Sequence, residues 1–231
     1  MVTLLAKAKG RRLEAALHVA VMPGMRRGEV AGLRWESVDF DGLRLRVAGA
    51  LQRINGKGLV WAEPKTAESL RYVDVPAELI AALKAHLMRQ LEEREKAGET
   101  WKDTGYVFTT TIGTPIDPHK LWSEVQEVAK LAELPRKPFH DLRHGYATMQ
   151  MEVGAPAPVV QRLLGHTRVP TTQDIYQHVT KRLQRESVDR FAQLFATPSE
   201  AGLVSALVSD PTADENTISN QDGESTVSAT R

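Results

Sequence analysis

The sequence predicts a mainly α-helical fold with one small three-stranded antiparallel sheet, an α+β arrangement. Three observations lead there. Apolar residues recur at helical spacing over most of the first 195 positions. Alternation of apolar and polar residues is confined to short stretches between residues 43 and 75. Within that region lies Asn55-Gly56, a strong hairpin-turn signal.

The elements follow in order. Leu13, Ala16, Leu17 and Val21 predict a first helix, which Gly24 breaks, and a short helix is expected over residues 27–34. Leu43, Leu45 and Val47 alternate with Arg44 and Arg46, giving a strand. After the Asn55-Gly56 turn, residues 58–62 return as a second strand and 71–75 form a third, with Lys65 in the turn region between these two. Leu79, Ala82, Leu83, His86, Leu87 and Leu91 predict a long amphipathic helix over 76–96. Residues 105–109 form a short extended piece. Asp117-Pro118 opens another helix with proline in its first turn. Helices are expected over 140–151, 158–164, 172–178 and 181–195. The last carries Leu183, Val188, Phe191, Leu194 and Phe195, suited to docking on a neighbour or on its own core.

The chain has 231 residues, 42% of them hydrophobic, enough for one large domain or two small ones. It has no cysteine, which excludes disulfides and Cys-based zinc sites and fits a reducing cytoplasm. The opening apolar residues are interrupted at once by Lys7 and Lys9, unlike a secretory signal, and no apolar run approaches a membrane span. A cytoplasmic protein without membrane contact is expected. The net charge of +1 hides an uneven distribution. Six acidic residues (Glu200, Asp210, Asp214, Glu215, Asp222, Glu224) against Arg231 make the tail net −5, leaving about +6 on the body. Residues 1–196 are therefore read as the folded domain, and 197–231 as an acidic, disordered tail. A basic body is compatible with a nucleic-acid partner.

The residues with chemical potential are Arg26 in Gly24-Met25-Arg26-Arg27-Gly28-Glu29, Lys65 in Pro64-Lys65-Thr66, and His140 and Arg143 in His140-Asp141-Leu142-Arg143-His144. His166 in Leu164-Gly165-His166 and Tyr176 complete them. Guanidinium groups stay protonated and bind phosphate oxygens in a bidentate fork. A tyrosine hydroxyl can hold a phosphoryl group covalently. Two arginines, a lysine and two histidines suit the anion of a phosphoryl-transfer transition state. His140 and Arg143, three apart, share one helix face. Taken one at a time, each has a plain structural explanation as a surface cation, turn lysine or packed histidine.

Taken together, in this order, they resemble the catalytic domain of the tyrosine recombinases, the phage-integrase family, over roughly residues 4–195. The resemblance implies that family's fold, with helices, a three-stranded sheet carrying the lysine, then further helices. It implies site-specific DNA cleavage and rejoining through a 3′-phosphotyrosyl intermediate, with no metal and no other cofactor. It selects Arg26 over Arg27, because the family's first arginine follows the glycine by two. Arg26 and Arg143 would hold the non-bridging oxygens. His140 would take the tyrosine proton or orient the phosphate, and His166 would donate to a non-bridging oxygen. Lys65 would protonate the departing 5′ oxygen. Tyr176 would be the nucleophile, and Glu29 would brace the site. His144 is placed outside direct contact, and Tyr72, Tyr106 and Tyr146 are assigned to packing. Pro23 departs from the family's threonine, which alters the turn and removes no chemical group.

The partners so implied are double-stranded DNA at an attachment or recombination site, a homotetramer on DNA when full length, and accessory DNA-bending proteins. The N-terminal core-binding domain of the family is expected to be absent from this chain. Three other readings compete: a type IB topoisomerase-like nicking-closing activity, an inactive or DNA-binding-only remnant, and a metal phosphohydrolase built on His140, Asp141, His144 and His166. The last lacks a metal-site spacing and leaves Arg26, Arg143 and Tyr176 without a role.

Overall fold

A computed structural model of the chain describes residues 1–63 and 70–165, with the isolated positions Val188 and Ala192. The chain divides into two units, Met1–Gln184 and Arg185–Arg231, and every element named below belongs to the first. Lys65, His166, Tyr176, the helix expected over 172–178, that expected over 181–195 apart from Val188 and Ala192, and the tail 197–231 lie outside the described residues.

Helix α1 (Val2–Ala8) precedes α2 (Glu14–Val21), whose Ala15, Ala16, Leu17, Val19, Ala20 and Val21 are all buried. A helix apolar on nearly every side belongs in the middle of a core. Accordingly α2 packs against α1, α3 (Arg27–Ala31), α4 (Ala77–Ala97) and α6 (His140–Glu152). Helix α3 is shorter than the expected 27–34. It stops at Gly32, and Arg34 turns extended to bridge Tyr106.

The three-stranded antiparallel sheet is present, with a membership that differs from the expected one. Its order is β1 (Val38–Asp39), β2 (Arg44–Val47), β5 (Arg71–Asp74). Leu45 and Val47 face the core opposite Val73 and Arg71. Strands β3 (Ala50–Ile54) and β4 (Gly58–Ala62) pair only with each other, around the Asn55-Gly56 turn. The reason lies at the edges of β2. The Asp39 carboxylate accepts the Gly42 N–H at 2.8 Å, and this tight turn folds β1 onto one edge of β2. Strand β5 takes the other edge, leaving β4 no place in that sheet. Leu43 sits in the turn at φ 49, outside the alternating face.

Helix α4 buries Leu79, Ile80, Leu83, His86 and Gln90 along one stripe. Helix α5 (Pro118–Leu131) begins as its sequence dictates: the Asp117 side chain accepts the His119 N–H at 2.8 Å, with Pro118 in the first turn. Arg53 of β3 also donates to the Asp117 carboxylate, tying the hairpin to α5. Helix α7 (Ala157–Leu164) ends in Gly165 at φ 63, a left-handed cap.

His86 lies between Trp35 and Phe108, with Nε2 2.9 Å from the Val107 carbonyl. Burial pushes its imidazole pKa below the ordinary 6.5. The unfolded chain therefore takes up a proton that the folded chain refuses. Stability from neutral His86 is complete above about pH 6.5 and declines as pH falls toward the lowered folded value. Denaturant midpoints measured from pH 7.5 down to 5.5 are expected to fall more steeply for the parent chain than for His86→Leu. Equal slopes would assign the acid sensitivity elsewhere.

Candidate active site

The arginine box is built on the start of α3. Gly24 holds φ 61, and a Cβ there would lie 2.7 Å from the Tyr146 ring, so glycine is required by conformation and by space. Its carbonyl accepts Arg143 Nη1 at 2.8 Å. Arg26 is the residue before the first helical turn, and Glu29 lies three residues on. The Glu29 carboxylate accepts the Arg26 backbone N–H at 2.8 Å and Arg26 Nη1 at 2.8 Å. A carboxylate in the first turn reaching back to the preceding N–H satisfies an otherwise orphaned helix donor.

Helix α6 supplies the second box. His140 opens it exposed, and Arg143, one turn later, is 1% exposed. Its Nη2 donates to the Leu164 carbonyl. Arg26 Nη2 donates to the next carbonyl, Gly165, at 3.3 Å. The two boxes, far apart in sequence, thus meet at the C-terminal end of α7, where helix carbonyls favour cations.

A third arginine joins them that motif reasoning missed. Arg71 of β5 is buried, forms a two-pronged ion pair with Glu29 at 3.1 Å, and donates Nε to the Leu163 carbonyl at 3.2 Å. A signal was present: in the alternation Arg71-Tyr72-Val73-Asp74, Arg71 falls in phase with the buried Val73. A cation in a core-facing position needs a partner.

The electrostatics follow. Burial alone would raise the Glu29 pKa, yet bonds from Arg71 and Arg26 hold it below the usual carboxylate range. The Arg143 guanidinium is pushed down to about 9 by burial, with Arg26 and Arg71 adding repulsion and Glu29 opposing it. It stays charged at neutral pH. His140 is lowered by desolvation first, then by His144, Arg143 and Arg26. These effects favour the neutral imidazole. Its ring meets His144 edge-on, with centroids 4.5 Å apart.

Beside this cluster opens a cleft of about 550 Å³, lined in part by Arg27, Arg136, Lys137, His140, Arg143 and Trp122. Arg136 lies over the Trp122 ring at 4.8 Å. The described lining contains no carboxylate, so the cleft suits an anion. Among the described residues no three His, Asp or Glu side chains converge as a metal-ligand set. None of the described helices is long and apolar enough to cross a membrane. Arg26, Glu29, His140 and Arg143 are thus brought together; Lys65, His166 and Tyr176 lie outside the described residues.

The fold and the paired arginine boxes define a tyrosine recombinase catalytic domain. The chain belongs to the phage integrase family, whose model matches residues 1–182. A tyrosine recombinase XerC-like protein of Caldanaerobacter subterraneus subsp. tengcongensis is 38% identical over 81% of this chain and 51% of its own length. The integrase of Staphylococcus phage L54a is 26% identical over 78% of this chain and 51% of its own length. The chain spans about half the length of these curated relatives. Among solved structures, the Tn1549 transposon integrase in complex with transposon right end DNA matches with TM-score 0.68 at 22% identity, covering 83% of this chain and 64% of that one. The XerA recombinase matches with TM-score 0.63 at 26% identity, covering 82% of this chain and 62% of that one.

Proposed function

We propose that this chain carries the DNA-cleaving and rejoining chemistry of a site-specific recombinase or integrase. The observation that carries the reading is the meeting of Arg26, Arg143 and His140 beside a basic cleft. In the proposed step the Tyr176 oxygen attacks the scissile phosphorus and loses its proton, with His140 as the acceptor. A 3′-phosphotyrosyl bond forms as the bond to the 5′ oxygen breaks, and Lys65 protonates that oxygen. Arg26, Arg143 and His166 hold the non-bridging oxygens as charge develops. Attack by a 5′ hydroxyl on the phosphotyrosine reverses the step and rejoins the strand. Because one phosphoester replaces another, bond energy is conserved and the step calls for neither ATP nor a metal.

Double-stranded DNA is the proposed substrate, and the cytoplasm the proposed compartment. Arg27, Arg136 and Lys137 are suited to backbone phosphates flanking the scissile one. A tetramer on two sites and accessory DNA-bending proteins belong to this proposal for the full-length protein. The test is cleavage of a nicked duplex at low salt in excess chelator. A protein–DNA species that survives denaturant is expected. Loss of cleavage in chelator, restored by magnesium or manganese, would favour metal-dependent hydrolysis instead.

A further inference from the structure

Arg71 has no place in the chemistry just proposed, yet its side chain is only 7% exposed. Replacing a buried ion pair by apolar packing is often neutral or stabilising, so stability accounts poorly for a guanidinium turned inward on β5. Its contacts account for it better. Three guanidiniums take three successive carbonyls at the end of α7: Arg71 takes Leu163, Arg143 takes Leu164 and Arg26 takes Gly165. Glu29 joins two of them, accepting from both Arg71 and Arg26. Gly165 makes the approach possible, since a Cβ there would sit 3.0 Å from Arg71 Cδ and 3.2 Å from its Nε. Arg71 also opens β5, two residues after the segment 64–69 that contains Lys65.

We propose that Arg71 is a positioning residue for strand cleavage. It clamps Glu29 and the end of α7 into one frame, and through Glu29 it fixes the direction of Arg26. The planar fork matters as much as the charge: two parallel donors meet the carboxylate while Nε reaches the carbonyl, and a lysine ammonium reproduces the charge without that geometry. The inference rests on the reading of this chain as a DNA-cleaving enzyme.

The test is single-turnover cleavage of a nicked duplex, with duplex affinity measured in parallel. The set comprises the parent chain, Arg71→Lys, Glu29→Gln, Arg26→Ala and the double variant Arg71→Lys/Arg26→Ala. Arg71→Lys is expected to bind DNA within about twofold of the parent and to cleave on the order of 100-fold more slowly, the loss that a misplacement of about 1 Å brings. Losses in the double variant should fall well short of multiplying, because both pass through the Arg26 guanidinium. A purely structural defect would lower affinity together with rate and would multiply. Either that pattern, or parent-like cleavage by Arg71→Lys, overturns the proposal. If Arg71→Lys does not fold, Glu29→Gln carries the same test, since it keeps the volume and weakens the clamp; parent-like cleavage there is equally fatal. A parent chain that forms no adduct sinks the functional reading and this inference together. An active parent with unaffected clamp variants sinks this inference alone.

Discussion

Tyr176→Phe is expected to abolish the covalent protein–DNA adduct while duplex binding stays at the parent level. The change removes one oxygen, and with it the only atom that can hold the phosphoryl group in the proposed step. A free phenol has a pKa of about 10, so it needs a base close by. In the proposed step that base is His140, whose pKa is lowered by desolvation and by His144, Arg143 and Arg26. Adduct formation on a nicked duplex, followed under denaturing conditions, measures the effect directly. The chain has four tyrosines, and the structure narrows what a failure would mean. Tyr146 is buried against Gly24, and Tyr106 is buried beneath the Arg34 guanidinium. Tyr72 stands 63% exposed on β5. An adduct that persists in Tyr176→Phe would sink the assignment and direct attention to Tyr72.

Arg26→Ala is expected to slow cleavage by roughly 10²–10³, about 3–4 kcal/mol of transition-state stabilisation by analogy with oxyanion donors, with a much smaller effect on binding. Arg27→Ala should be mild in cleavage and felt mainly in duplex affinity, because Arg27 lines the basic cleft. Arg26 is a cleaner probe than Arg143. The Arg143 guanidinium is buried and also anchors the Gly24 and Leu164 carbonyls, so Arg143→Ala removes structural bonds along with any catalytic one. Single-turnover rates and equilibrium binding on the same duplex separate the two effects. A harmless Arg26→Ala beside a damaging Arg27→Ala would place the catalytic arginine one position later than assigned.

Helix α5 shows what one sequence can disclose by itself. Its start is written in Asp117-Pro118, a side-chain acceptor followed by a residue with no N–H to lose, and the structure places that cap where the pair predicts it. Helix α4 was legible for a similar reason, since the stripe Leu79, Leu83, His86 has the period of a helix. The boxes around Arg26 and His140 were legible as ordered local patterns. Caps, periods and motifs are all settled by residues within a few positions of one another, which is why they survive the loss of three-dimensional information.

Tertiary structure alone decided which strands share a sheet, how deeply Arg143 is buried, and that Glu29 answers to Arg71 as well as Arg26. Strand pairing depends on which edges of β2 remain open, and the Asp39 turn and β5 close both. Arg71 and Glu29 come from different elements, and the carbonyls that complete the cluster lie at the far end of a third. By itself the sequence determined most of the described helices, three of the strands, the family resemblance and the residues capable of phosphate chemistry. The frame holding those residues was decided only by packing, because a buried charge takes its partner from whatever the fold brings beside it, at any distance along the chain.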